Sequence, residues 1–177
     1  MSSLQIRNTI STDLARLAAI DHSIQTEYVW QLDLRRESAQ VDAIFREVRL
    51  PRPVKIEYPR PAAQLPDIWH LSPMFSAMLG DEAIGYIRFT EKIIPHAAWI
   101  TDLVVAREVR MKGIARKLVA AVQVWGAQHG LRRAIIEAQS KNHPGIRMIQ
   151  KFGFEFCGYN DIYYPNRDVA LFFSRTI

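Results

Sequence analysis

The sequence predicts a single mixed α/β domain, and three observations carry the prediction. The 177 residues are 49% hydrophobic, enough length and apolar content for one sizeable core. Residues 99–138 run apolar segment, basic turn, periodic helix, apolar segment, which is the order of a strand, a helix and a second strand. No internal repeat or low-complexity tract interrupts the chain, and the flanks of its one proline-rich stretch are too short to fold apart, so residues 1–177 form one domain.

Each element follows from its local pattern. Leu4, Gln5, Ile6 and Arg7 alternate apolar and polar, as in a first strand. Ser11, Thr12 and Asp13 supply a cap and an acidic first turn to a helix carrying Leu14, Leu17, Ile20 and Ile24. Val41, Ile44, Phe45 and Val48 fall at the i, i+3, i+4, i+7 spacing, which predicts a second helix over 38–48. Residues 49–67 hold five prolines, at positions 51, 53, 59, 61 and 66. These forbid a continuous helix, while Val54, Ile56 and Tyr58 alternate as a short strand does. Strands over 74–79 and 83–90 flank Gly80-Asp81, a hairpin turn signal. Residues 99–105 form the central strand and 134–138 its partner. The helix between them puts Ile114, Leu118, Val122 and Trp125 on one face and stops at His129-Gly130, so Trp125 is assigned to packing and His129 to the helix end. A short helix over 146–152, the segment 156–159 and a last apolar stretch over 169–173 complete the chain.

Composition narrows the function classes. No run of about 20 apolar residues exists, so no membrane span is expected. The first ten residues lack the charged-then-apolar pattern of a targeting signal. Cys157 is the one cysteine, which leaves no internal disulfide and no Cys/His cluster of zinc spacing. A cytoplasmic, metal-free protein is expected. The net charge of +5 is spread along the chain without a basic run or an aromatic–glycine RNA-binding signature, so nucleic acid is not expected as a partner.

Part of the positive charge gathers at one turn. Arg107, Arg110, Lys112, Arg116 and Lys117 crowd the run Arg110, Met111, Lys112, Gly113, Ile114, Ala115 that opens the periodic helix. A helix start offers free N–H groups and the positive end of a dipole, and Gly113 has no Cβ to keep a bulky anion away. A phosphorylated cofactor is expected there. The run matches neither the GxxxxGK[ST] nor the GxGxxG phosphate loop.

This Arg-x-x-Gly-x-Ala run resembles the acetyl-CoA loop of the GCN5-related N-acetyltransferases, the GNAT family, whose pattern is Gln/Arg-x-x-Gly-x-Gly/Ala. The segments beyond the loop resemble the family as well: a helix, a strand reaching Glu137-Ala138, then Asn142, a short helix and Gly153-Phe154. The resemblance runs from about Met74 to the end of the chain. It implies a GNAT fold, with a twisted, mostly antiparallel central sheet flanked by helices and splayed central strands that hold acetyl-CoA. It implies transfer of an acetyl group from acetyl-CoA to a primary amine; the oligomeric state stays open, a homodimer included. By the same resemblance the backbone of Leu103, Val104 and Val105 holds the pantetheine arm and the thioester carbonyl. Arg110, Met111, Lys112, Gly113, Ile114, Ala115 and Arg116 bind the pyrophosphate, and Asn142 touches the pantetheine arm.

Acetyl transfer needs a polarised carbonyl, a neutral amine and, for fast departure, a proton for the thiolate. Glu137 ends an apolar strand, where partial burial suits a carboxylate to take up a proton. It is the candidate base, against a carboxylate that stays solvated, with Asp102 in reserve. The stretch from Glu137 to Asn142 resembles that of ribosomal-protein alanine N-acetyltransferases and streptothricin acetyltransferases, and in the former the Glu is the proposed base. One position departs from the family. Ile149, seven residues on from Asn142, stands where the tyrosine that protonates the leaving thiolate usually is. Either Tyr159, Tyr163 or Tyr164 supplies the proton, Tyr164 first, or the thiolate leaves unassisted. Tyr163-Tyr164-Pro165 and Ala170-Leu171-Phe172 resemble the tails of the same two groups. The acceptor stays open between a small-molecule amine such as an antibiotic and a peptide N-terminus. The proline-rich segment either selects that acceptor or is a stiff surface connection. The missing tyrosine also allows a non-catalytic acetyl-CoA sensor.

Overall fold

The structure, a computed structural model, describes residues 3–177; Met1 and Ser2, the start of the stretch read for a targeting signal, lie outside them. The chain runs β1 (Leu4–Asn8), α1 (Leu14–Ala19), β2 (Ile24–Arg36), β3 (Val41–Ile56), α2 (Leu65–Ile68), β4 (Met74–Leu79), β5 (Glu82–Thr90) and β6 (Ala97–Val105). It continues through α3 (Ile114–Gln128), β7 (Arg133–Gln139), α4 (His143–Lys151), β8 (Glu155–Asn160) and β9 (Ala170–Thr176). Seven strands form one sheet in the order β1-β4-β5-β6-β7-β9-β8, and β2 with β3 makes a separate hairpin. Every pair in the sheet is antiparallel except β6 with β7, which α3 connects. Among the described residues no helix is long and apolar enough to cross a membrane.

The helices are fixed by what they bury. Ile114, Leu118, Val119 and Val122 of α3 and Ile146 and Ile149 of α4 pack on one face of the sheet against Phe75, Phe89, Ile100 and Phe173. Leu118 and Ile146 are fully buried, each contributing about 1.5–3 kcal/mol, so the core sets where both helices begin. On the other face Leu14 and Leu17 of α1, with Leu65, cover Met74, Met78, Tyr86 and Val104.

Two expectations fail between residues 20 and 56. The first helix stops at Ala19, Ile20 turns to an extended conformation, and Ile24 opens β2. The helix expected over 38–48 is instead a turn and the first half of β3, where Leu32 pairs with Phe45, Asp33 with Ile44 and Val29 with Val48. A partner strand outweighs the helical spacing. The ladder satisfies the backbone, and Phe45 lies on Phe156 and Tyr159 with ring centroids 5.5 and 5.2 Å apart. The alternation at Val54 and Ile56 is the far end of β3. Pro51 and Pro53 sit in the irregularity between the pairs Tyr28↔Arg49 and Thr26↔Val54, where a missing N–H costs no ladder bond.

The feature that makes a site is a fork. β5 pairs with β6 along its length, from Gly85↔Val105 to Thr90↔Trp99, whereas β6 pairs with β7 only from Ala97↔Arg133 to Ile100↔Ile136. Past Ile100 and Ile136 the two strands part. Residues 101–105 are left with no ladder on the β7 side.

Candidate active site

The basic turn lies just beyond the β6 arm of the fork. A single-turn helix (Arg107–Val109) leads to Gly113, whose φ of +79° is in the left-handed region that glycine adopts at little cost. A Cβ added there would meet nothing within 4 Å, so the backbone angle and not internal crowding selects glycine. As the N-cap of α3, Gly113 has no side chain to spend on the first-turn amides. Those N–H groups and the helix dipole are left for an anion. Ile114 is buried in the core and anchors the turn, and Ala115 is half-buried beside it. Met111 and Lys112 are exposed. Arg116 lies with its guanidinium 5.0 Å from the centre of the Phe152 ring. Arg110 is differently employed: its Nε donates to the Val105 carbonyl at 2.9 Å and its Nη2 to the Asp21 carbonyl at 3.2 Å. It ties the turn to the end of β6 and to the segment after α1.

The crotch of the fork holds Glu137, the first residue of β7 beyond the parallel ladder, with its side chain wholly buried. Its Oε2 accepts from Trp99 Nε1 and from the Tyr163 hydroxyl, each at 2.7 Å, and its Oε1 accepts from the Arg60 guanidinium. Arg60 also donates to the Thr101 carbonyl at 2.8 Å, a β6 group that the parting of the strands leaves free. One side chain thus spans the fork. Its guanidinium lies 5.4 Å from the centre of the Tyr164 ring. Burial works against that charge, but the Asp102 and Glu137 carboxylates outweigh it and hold the Arg60 pKa above the ordinary arginine value.

Asp102 is the second buried carboxylate. Its Oδ2 accepts from Arg88 Nε at 2.7 Å and from Thr101 Oγ1 at 2.9 Å, and its Oδ1 accepts from the Tyr58 hydroxyl at 2.8 Å. Two carboxylates therefore face two guanidinium groups. Burial raises the phenol pKa of Tyr58, Tyr86, Tyr163 and Tyr164, helped at Tyr163 by its bond to Glu137, so all four stay protonated near neutrality. His22 Nδ1 lies 2.6 Å from the Ile20 carbonyl and must carry the proton there. Its Nε2 then accepts from the Tyr86 hydroxyl at 3.0 Å. Burial lowers the pKa of this imidazole and keeps it neutral.

Of the residues singled out in the sequence, Glu137, Asp102, Tyr163 and Tyr164 meet in this corner. Tyr159 does not, being packed on Phe45. Tyr163 bonds Glu137, whereas Tyr164 presents its ring to Arg60. Leu103, Val104 and Val105 form the β6 arm, with only the Val104 side chain fully buried. Asn142 caps α4, its Oδ1 accepting from Gly145 N at 2.9 Å. Ile149 is 3% exposed inside the main core, so its position cannot hold a hydroxyl without displacing apolar neighbours. Arg60, Trp99, Tyr58 and His22 were not legible as site residues. The nearest signal is Tyr58-Pro59-Arg60-Pro61, an arginine held between two prolines at the end of the proline-rich segment.

The family model described as Acetyltransferase (GNAT) family matches residues 41–154. No curated protein matches the chain. Among solved structures it is similar to nourseothricin acetyltransferase, with a TM-score of 0.81 and 23% identity over 99% of each chain. It is also similar to a Bacillus anthracis protein assigned as a streptothricin acetyltransferase, in complex with acetyl coenzyme A, with a TM-score of 0.76 and 20% identity over 99% of this chain and 100% of that one. A third is the ribosomal-protein-S18-alanine N-acetyltransferase of Escherichia coli, with a TM-score of 0.65 and 13% identity over 99% of this chain and 94% of that one.

Proposed function

The chain belongs to the GNAT acetyltransferase family, and from that premise we propose that it moves the acetyl group of acetyl-CoA to a primary amine bound at the Glu137 corner. The observation that carries this reading is the parting of β6 and β7 at Glu137 itself. The unpaired edge of β6 then runs from the buried carboxylate toward the uncapped start of α3. Acetyl-CoA supplies the activated acyl group. The amides of Met111, Lys112, Gly113, Ile114, Ala115 and Arg116 are suited to its pyrophosphate, and Arg110 braces the turn that presents them. The edge of Leu103, Val104 and Val105 and the Asn142 side chain take the pantetheine arm. Glu137 takes the proton that the acceptor nitrogen must lose. Tyr163, hydrogen-bonded to Glu137 and protonated, or Tyr164 beside it, is our candidate proton donor for the thiolate. The likeness to nourseothricin and streptothricin acetyltransferases supports a small-molecule amine over a peptide N-terminus.

The sensor reading has one observation in its favour, the aliphatic core residue Ile149 at the family's usual tyrosine position. Thiol release from acetyl-CoA, followed against a panel of amines with thermal unfolding in parallel, separates the two. Turnover with any amine upholds the enzyme. Stabilisation by acetyl-CoA without turnover selects the sensor, and neither effect overturns both.

A further inference from the structure

We propose that Arg60 occupies the acceptor's own cation subsite, so that the acceptor is an aliphatic amine that enters as an alkylammonium and must displace the Arg60 guanidinium to reach Glu137. This rests on the reading of the Glu137 corner as the acceptor site. Three observations point to an exchangeable occupant and not a permanent ion pair.

The first is access. The Arg60 side chain is 23% exposed while that of Glu137 is 0% exposed, so the cation lies at the mouth of the corner and the anion at its floor. Pro59 and Pro61 fix φ on either side of Arg60, so the freedom an exchange needs lies in the rotamers of its long side chain.

The second is chemical equivalence. Arg60 contacts the Thr101 carbonyl, the Glu137 Oε1, the Asp102 carboxylate at 3.7 Å and the face of the Tyr164 ring. An ammonium donates to carbonyls and carboxylates and sits over aromatic faces in the same way. The guanidinium reaches the Thr101 carbonyl through Nη1 and Glu137 through Nη2, and an ammonium, with three N–H donors on one nitrogen, can take up the same kinds of acceptor with a less extended grip.

The third is charge. With Arg60 in place, Asp102 and Glu137 are balanced by Arg88 and Arg60. Withdrawing Arg60 alone would leave a buried carboxylate uncompensated, which is strongly unfavourable. Exchanging it for one ammonium keeps the balance. A neutral aromatic amine or an amide offers no such exchange, so the corner discriminates by charge before chemistry. Only after the exchange does Oε1 face the acceptor nitrogen and become able to take its proton.

The test uses the full chain as wild type, Arg60→Gln and Arg60→Lys, with butylguanidinium as an unreactive copy of the displaced side chain. Because withdrawing Arg60 alone is strongly unfavourable, the open arrangement is populated to well under about a tenth in the wild type, and Arg60→Gln binds butylguanidinium more than about tenfold more tightly, read from the thermal shift. The KM for an acetylated alkylamine falls by the same factor, and kcat does not fall. Arg60→Lys, which lacks the second arm of the guanidinium, moves both values the same way by less and covers the case in which the Gln variant does not fold. A raised amine KM in Arg60→Gln, a lower kcat at constant KM, or equal butylguanidinium binding by variant and wild type would make Arg60 a positioning residue for Glu137 and overturn the exchange. Acetyl-CoA is added to each protein as a separate arm. Its failure to stabilise the wild type counts against the acetyltransferase reading, while butylguanidinium binding still decides the subsite.

Discussion

Replacing Glu137 by Gln separates what this residue does for the fold from what it does for the reaction. The carboxylate accepts from three donors, Trp99 Nε1, the Tyr163 hydroxyl and the Arg60 guanidinium. An amide offers one oxygen and one NH₂, so one side of it must face a group that only donates. Trp99 is 6% exposed and cannot turn away, whereas Arg60 can swing toward solvent. The amide oxygen therefore stays on Trp99 and Tyr163, and the charge-assisted bond to Arg60 is lost. Such a bond contributes about 1.5–3 kcal/mol, and rehydration of Arg60 returns part of it, which leaves a destabilisation of about 1–3 kcal/mol. In a chain of this size that lowers Tm by about 2–4 °C per kcal/mol. Glu137→Ala also strands the Trp99 N–H and costs more, about 3–5 kcal/mol. Equilibrium urea unfolding of the two variants measures both figures. Acetylation by the Gln variant is expected to fall roughly 10²-fold or more while acetyl-CoA still binds, and the loss should shrink between about pH 7 and about pH 9 as more acceptor is already neutral. An equal loss at both pH values removes Glu137 from proton transfer and brings Asp102 forward. A Gln variant as stable as the wild type refutes the hydrogen-bond account of the corner.

Three further outcomes are expected. Acetyl-CoA should stabilise the wild type by about 2.7 kcal/mol at about 100 times its Kd, and Gly113→Val, which forces a β-branched residue to a φ of +79°, should unfold more easily and lose that shift; an unaltered shift in the variant sinks the loop assignment. His22 has a folded pKa below its ordinary 6.5, so the unfolded chain takes up the proton first as pH falls. Stability from this residue is present above about pH 6.5 and is lost below it, at no more than about 1.4 kcal/mol per pH unit, and His22→Gln should remove that slope from urea midpoints measured across the range. Ile149→Tyr places a larger, polar side chain in the main core and should cost about 1–3 kcal/mol without raising turnover; a faster enzyme would show that a hydroxyl there can reach the thiolate after all.

The second half of the chain is legible in its sequence because burial there is strong and local. β6 and β7 read as continuous apolar segments, as strands covered on both faces do, and α3 presents one unbroken apolar stripe. The β2–β3 hairpin lacks both signals. Val41 is 64% and Ile44 41% exposed, so half of the apparent helical face over 38–48 is not buried against anything. The clearer sign lies in the partner, where Tyr28, Trp30, Leu32 and Leu34 alternate along β2. A strand in a two-stranded sheet takes its identity from its neighbour, and reading each segment by itself hides that dependence.

The corner divides in the same way. Glu137 can be found from its own surroundings because it ends an apolar strand, but Arg60 reaches it from 77 residues away along a path that only the tertiary fold determines. Its presence changes the chemistry assigned to the carboxylate. Read alone, a strand-end glutamate is a standing base, open to any proton donor that enters the cleft. With Arg60 against Oε1, and Trp99 and Tyr163 against Oε2, it is engaged on every side that faces another group. A cation that replaces Arg60 restores the charge balance and at the same moment brings its own proton to Oε1. On the exchange proposed above, recognition of the amine and release of the base are one event, and the arginine between two prolines is the residue whose substitution tests it.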